Sequence, residues 1–95
     1  NIRLEMYSIF YTGQFKKSLK LAVKRGLDIT LLTAVIDELQ EKGIVDNKYD
    51  PHPLKGNYKG CMECHIQSDW LLIWKQDDKK LELIMVDTGT HSDLF

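Results

Sequence analysis

The hydrophobic period of this 95-residue chain changes from helical to alternating part-way along, and that change limits what it can fold into. Phe15, Leu19, Ala22 and Val23 recur at helical spacing, and Leu32, Val35, Ile36 and Leu39 form a second such stripe. Thr12 and Gly26 bracket the first helix, Asp28 and Gly43 the second, which makes a helical hairpin. The later segments Tyr58–Ile66, Trp70–Gln76 and Leu81–Thr88 read as strands. Asp77-Asp78 marks a hairpin turn, and Thr88-Gly89 a bend after the last strand. Ahead of the helices, Tyr7–Tyr11 has the β-branched and aromatic content of a short strand. Between the halves, Asn47, Asp50, Pro51, Pro53, Gly56 and Asn57 make residues 46–58 a loop. The order β, α, α, β, β, β implies an α+β fold: an N-terminal strand and a helical hairpin packed on a mainly antiparallel, twisted sheet.

A chain of this length holds one small domain, which excludes a large multi-domain enzyme. Residues 6–95 are read as that domain, with Met6 as the native start and residues 1–5 as vector-derived. No apolar run reaches the ~20 residues of a membrane span, and no secretory leader is visible, so the expected location is the cytoplasm. Thirteen Lys and Arg against 14 Asp and Glu leave a net charge of −1, which gives no overall electrostatic case for nucleic acid. One local exception is Lys16, Lys17, Lys20, Lys24 and Arg25, a basic helix face without an acidic residue.

The chemistry-bearing residues gather in the second half. His52 lies in the proline-bounded loop, His65 near a strand end and His91 just past the last strand, while Asp69-Trp70 joins two strands. Antiparallel strand ends of this kind can bring three imidazoles, a carboxylate and two aromatics around one cleft. Imidazole titrates near pH ~6.5 when unperturbed, so a set of them can supply both an acid and a base at neutral pH. Taken singly, each residue also fits a plain structural role. Trp70 and Trp74 share one face of a strand and suit a core, and Asp69 suits a turn.

Cys61-Met62-Glu63-Cys64-His65 matches the C-x-x-C-H pattern of covalent haem attachment, and also half a zinc site with His52 or a redox dithiol. If these residues form a strand, the two cysteines point to opposite faces about 10 Å apart, too far for a disulfide or a shared metal.

The order of several short motifs resembles the RelE superfamily of bacterial toxins, and within it the YafQ-type messenger-RNA interferases. The matching pieces are Tyr11-Thr-Gly-Gln-Phe-Lys-Lys17, His52-Pro-Leu-Lys-Gly56, Glu63-Cys-His-Ile66, Asp69-Trp-Leu-Leu-Ile73, Thr88-Gly-Thr-His91 and Leu94-Phe95. The resemblance implies a RelE-like fold and a cofactor-free, metal-independent endoribonuclease. Such an enzyme cuts messenger RNA on the ribosome and is the toxin of a toxin–antitoxin pair. It implies His52, His65, Asp69 and His91 as the catalytic set. His91 is expected as general acid, Asp69 or His52 as proton acceptor, and His65 to orient or to stabilise charge. Phe95 and Trp70 are expected to stack on RNA bases, and Lys55 and Lys59 to contact phosphate. The basic helix face is expected either to meet ribosomal RNA or to be a plain solvated surface. The implied partners are a cognate antitoxin, the ribosome and its message, with operator DNA reached only through the antitoxin and no membrane.

The chain departs from the resemblance at Met62 and Asp87, where relatives carry arginine. Loss of a guanidinium weakens phosphate clamping. That departure motivates the competing reading, a catalytically impaired relative that binds antitoxin or ribosome without cutting RNA.

Overall fold

A computed structural model describes residues 6–95; the expectation for residues 1–5 lies outside the described residues. Strand β1 (Ser8–Tyr11) leads through Thr12 into helix α1 (Gly13–Lys24). Thr12 Oγ1 accepts the Phe15 N–H at 3.0 Å and donates to the Val86 carbonyl at 2.6 Å, so one side chain caps the helix and fastens it to the last strand. Helix α2 (Ile29–Lys42) is capped by Asp28, whose carboxylate accepts the Thr30 N–H at 3.0 Å. It ends at Gly43 with φ +72°, the left-handed conformation that glycine adopts without penalty.

The sheet is completed by β2 (His52–Pro53), β3 (Met62–Gln67), β4 (Trp70–Asp77) and β5 (Glu82–Gly89), in the order β1-β5-β4-β3-β2. Only the β1–β5 pair is parallel. The short helix α3 (His91–Leu94) follows β5. The α+β architecture expected from the period change is therefore present: helices on a five-stranded open sheet, antiparallel in all but one pair. No helix among the described residues is long and apolar enough to cross a membrane.

Alternation along the strands sorts side chains into two layers. Cys64 and Ile66 of β3, Trp70, Leu72 and Trp74 of β4, and Leu83 and Met85 of β5 meet Phe15, Ala22, Leu32, Val35, Ile36 and Leu39 of the helical hairpin. On the other face, Cys61, Leu71, Ile73 and Leu94 form a smaller cluster beneath Leu54, Tyr58 and Val86. Residues 70–74 are consequently buried without interruption, as befits a strand covered on both sides.

Beyond shifts of one residue at strand ends, the structure differs from the sequence reading in three places. β3 begins at Met62 rather than Tyr58, because Gly56–Tyr58 form a 3-10 turn and Gly60 takes φ +89°. The 46–58 loop contains a 3-10 turn at Asn47–Tyr49, capped by the Asp46 carboxylate on the Lys48 N–H at 2.9 Å, and then the two-residue strand β2. Finally, the bend after β5 closes into α3. Thr90 and Asp93 hold each other's backbone N–H in a reciprocal cap, with bonds of 3.1 and 2.9 Å.

Arg25, at the end of α1, then grips Asp93 with two bonds of 2.6 and 3.1 Å. The Arg25 hydrogen bonds, followed by the Thr90 N–H, hold the Asp93 carboxyl far below the usual carboxylate range. A four-residue helix that would not persist alone is thus docked by one charged clamp and one buried leucine, Leu94.

Gly43 also sits under the Tyr7 ring. A Cβ there would lie 2.6 Å from Tyr7 Oη, on a backbone already in the left-handed region. Gly43→Ala is expected to destabilise the fold by at least ~1–2 kcal/mol from backbone strain alone, measured as a lowered urea midpoint with unchanged slope.

Candidate active site

Period-two alternation in β3 turns Glu63 and His65 away from the helical hairpin, onto the face of the smaller cluster. β2 pairs antiparallel with the start of β3, and its register sets His52 directly opposite Glu63. Asp69 occupies the turn between β3 and β4, and His91 opens α3. The result is a row of imidazoles with His65 in the middle: ring centroids lie 6.1 Å apart for His52–His65 and 5.8 Å for His65–His91. Side-chain exposures of 37%, 29% and 55% for His52, His65 and His91 make the row accessible from solvent.

The three rings differ in how their nitrogens are engaged. Asp69 Oδ1 accepts both the His91 backbone N–H at 3.0 Å and its ring Nδ1 at 2.8 Å, which leaves Nε2 directed elsewhere. Those bonds, the backbone one first, hold the Asp69 carboxyl below its ordinary range. His52 Nδ1 lies 2.8 Å from the Asp50 carbonyl, an acceptor only, so this nitrogen carries a proton. His52 Nε2 lies 3.0 Å from Glu63 Oε1. His65, by contrast, makes no hydrogen bond at either ring nitrogen among the described residues. Its Nε2 lies 3.9 Å from Asp50 Oδ2, an ion-pair distance too long for a hydrogen bond.

Two acidic residues that were not singled out in the sequence thus belong to the site. Glu63 is only 4% exposed, and its Oε2 has no partner among the described residues. The signal was available, since a residue two before His65 on a strand shares its face. Asp50 has φ +52°, and this turn aims its carbonyl at His52 while its carboxylate stands 3.9 Å from both His52 and His65.

Around this row the expected auxiliary residues divide. Phe95 is 64% exposed and meets the edge of Tyr58 at 5.5 Å, so its ring presents a free surface close to His91 in the chain. Lys55 and Lys59 flank the 3-10 turn and are exposed. Trp70 corrects the expectation of base stacking: it is 2% exposed, packs on the helical side of the sheet, and donates Nε1–H to Thr88 Oγ1 at 2.9 Å. A ring sealed in the core cannot receive a base.

Lys16, Lys17, Lys20 and Lys24 are exposed, whereas Arg25 is committed to Asp93 and is not a free cation of that face. Asp87 is buried and accepts bonds from Ser18 Oγ and the Thr88 N–H.

The cysteine pattern resolves by the same alternation. Cys61 belongs to the smaller cluster and Cys64 to the helix-facing one, so they lie on opposite faces and cannot share a bond or an ion. Both are free thiols, and burial pushes Cys64 up to about 12. Among the described residues, no group of three or more His, Cys, Asp or Glu side chains is arranged to hold a metal ion.

The chain was compared with known proteins. Residues 7–95 match the family described as the bacterial toxin of type II toxin–antitoxin system, YafQ. The mRNA interferase toxin YafQ of Escherichia coli K12 is 41% identical over 91 residues, covering 92% of this chain and 94% of that one. The crystal structure of YafQ from E. coli BL21(DE3) superposes with a TM-score of 0.86 at 37% identity, covering 94% and 98% of the two chains. YafQ in the E. coli DinJ–YafQ toxin–antitoxin complex gives 0.85 at 38% identity, covering 94% and 97%. The row of imidazoles is therefore carried by a chain that belongs to the YafQ family of toxins of bacterial type II toxin–antitoxin systems.

Proposed function

We propose that this toxin is an endoribonuclease that cuts messenger RNA on the ribosome, with the His52–His65–His91 row and Asp69 as its proton-transfer site. The observation that supports this reading is the row itself: adjacent imidazoles about one ring apart on an open face, each in a different hydrogen-bonding state. The name mRNA interferase toxin, carried by a relative matched over most of both chains, supports the same activity.

The reaction has the ribose 2′-oxygen attack the adjacent phosphorus while the 5′-oxygen leaves. A base must take the 2′-proton, a donor must protonate the leaving oxygen, and positive charge must meet the phosphorane. In our reading His91 is the donor: Asp69 fixes its Nδ1–H and steadies the imidazolium, and Nε2 is left to deliver the proton. The acceptor is assigned differently from the sequence expectation. Asp69 Oδ1 already receives two bonds from His91, and both nitrogens of His52 face oxygen, so in our reading His65 takes the 2′-proton. Phe95 would carry a base on its exposed face, and the α1 lysines with Lys55 and Lys59 would meet phosphates. The complex formed by E. coli YafQ with DinJ supports a small antitoxin protein as partner.

The test is direct. The purified protein, added to ribosomes stalled on a message, should cut it, and His91→Ala should slow cutting by about 10²–10⁴-fold. If E. coli YafQ cuts that message and this protein does not, the nuclease reading fails. Asp87 and Met62 favour one second reading, binding without cleavage. Equal growth arrest by the wild type and His91→Ala would support it.

Phe95→Ala should weaken engagement of the message by about 1–3 kcal/mol while sparing the chemical step, seen as a raised KM at near-constant kcat. The Asp69–His91 contact sets a pH dependence with a definite sign. A depressed carboxylate stabilises the contact fully above the ordinary aspartate range, and that contribution is lost as pH falls through the depressed value. Followed by NMR, the Asp69 carboxyl carbon should titrate below an unstructured aspartate, and His91→Ala should raise that midpoint part-way, since one of its two bonds is then lost.

A further inference from the structure

We propose that Glu63 is a positioning residue that acts through His52, closing that ring's Nε2 and fixing the imidazole beside His65. The inference deepens the nuclease reading and rests on it.

Glu63 is an unusual residue to find where it is. It is 4% exposed, stands across the β3–β4 ladder from Ile73, and has no partner for Oε2 among the described residues. A carboxylate kept only for stability gains little from such a place, because a buried charge and an unpaired buried oxygen are both destabilising. Its one bond is to His52, 3.0 Å from Oε1 to Nε2, across the β2–β3 register.

The other nitrogen of that ring is bound by the Asp50 carbonyl at 2.8 Å. A carbonyl accepts and does not donate, so Nδ1 is protonated. At Nε2 the shared proton sits either on the ring, as an imidazolium facing a carboxylate, or on Glu63, donated to the ring. In both cases no lone pair of His52 is open to a 2′-hydroxyl. The groups facing His52 are Glu63 and His65 from β3 and Asp50 from its own loop, whose carboxylate is 3.9 Å from Nδ1. Glu63 never touches the RNA in this scheme, and its effect on the rate passes through the orientation of its neighbour.

The test uses the full chain. E63Q should lower kcat for message cleavage by about 10–100-fold with KM changed less than about twofold, and should cost nothing further in a H52A background. Losses that multiply in the double variant, or an E63Q enzyme as fast as wild type, would overturn the proposal.

A second readout needs no cleavage. Long-range 1H–15N correlations of the substrate-free protein report how each imidazole nitrogen is engaged. E63Q should change the His52 pattern and leave His91 as it was, and an unchanged His52 pattern would overturn the proposal. Should E63Q not fold, E63D keeps the charge on a side chain one methylene shorter and should give the same selective change at His52. If the wild type cuts no message, the nuclease reading falls, while the NMR comparison still decides whether Glu63 governs His52.

Discussion

The side-chain alternation of β3 is the constraint on which the rest depends. Six residues on one strand serve both faces of the sheet: Cys64 and Ile66 enter the helix-facing core, while Glu63 and His65 enter the site. A shift of one residue in pairing with β4 would exchange these sets, burying an imidazole and a carboxylate beneath the helices. The continuous burial of Trp70–Trp74 beside β3 makes that exchange very costly, because apolar side chains on both faces of β4 hold the register. The chemistry of the site is therefore secured by packing that takes no part in it.

Much of this was legible in the sequence, and the reason is local. Thr12, Asp28 and Gly43 act within a turn of their own position, so capping chemistry identifies them without tertiary information. The two helix stripes and the long strands follow from periodicity. The three histidines and Asp69 were found through motif order, and the fold brings them together. What was hidden depended on partners distant in sequence. The face on which Trp70 lies is set by the bond to Thr88 and by the helices above it. Arg25 looked like one more cation of a basic face, because its partner Asp93 lies 68 residues away. Strand β2 is two residues long and exists only because β3 offers it an edge. Asp50 read as a loop breaker because nothing local reveals where a left-handed carbonyl will point.

The site also shows how one residue type can be given unlike surroundings. The three imidazoles are identical in sequence terms, yet one is held at both nitrogens, one at a single nitrogen and one at neither. Each difference traces to a neighbouring oxygen supplied by backbone geometry or by a strand partner. The difference between the three rings thus arises from hydrogen-bond topology, with burial contributing little on so open a face. The same logic explains why Cys61 and Cys64, although arranged in a pattern known for metals and haem, are ordinary core residues: the strand points them apart.

The pairing of β1 with β5 carries a kinetic consequence. Thr12 reaches Val86 across 74 residues, and the parallel ladder beside it closes a loop of similar size. Contacts that distant form only after a large entropic search, so the scaffold beneath His91 is assembled late and slowly compared with the helical hairpin. A chain collapsed around its helices but not yet zipped along β1 would lack the Thr12–Val86 tie that fastens β5, the strand leading into His91. In such a molecule the complete row of imidazoles arrives with the last long-range closure, and loosening that seam would disturb the row before the rest of the structure melts.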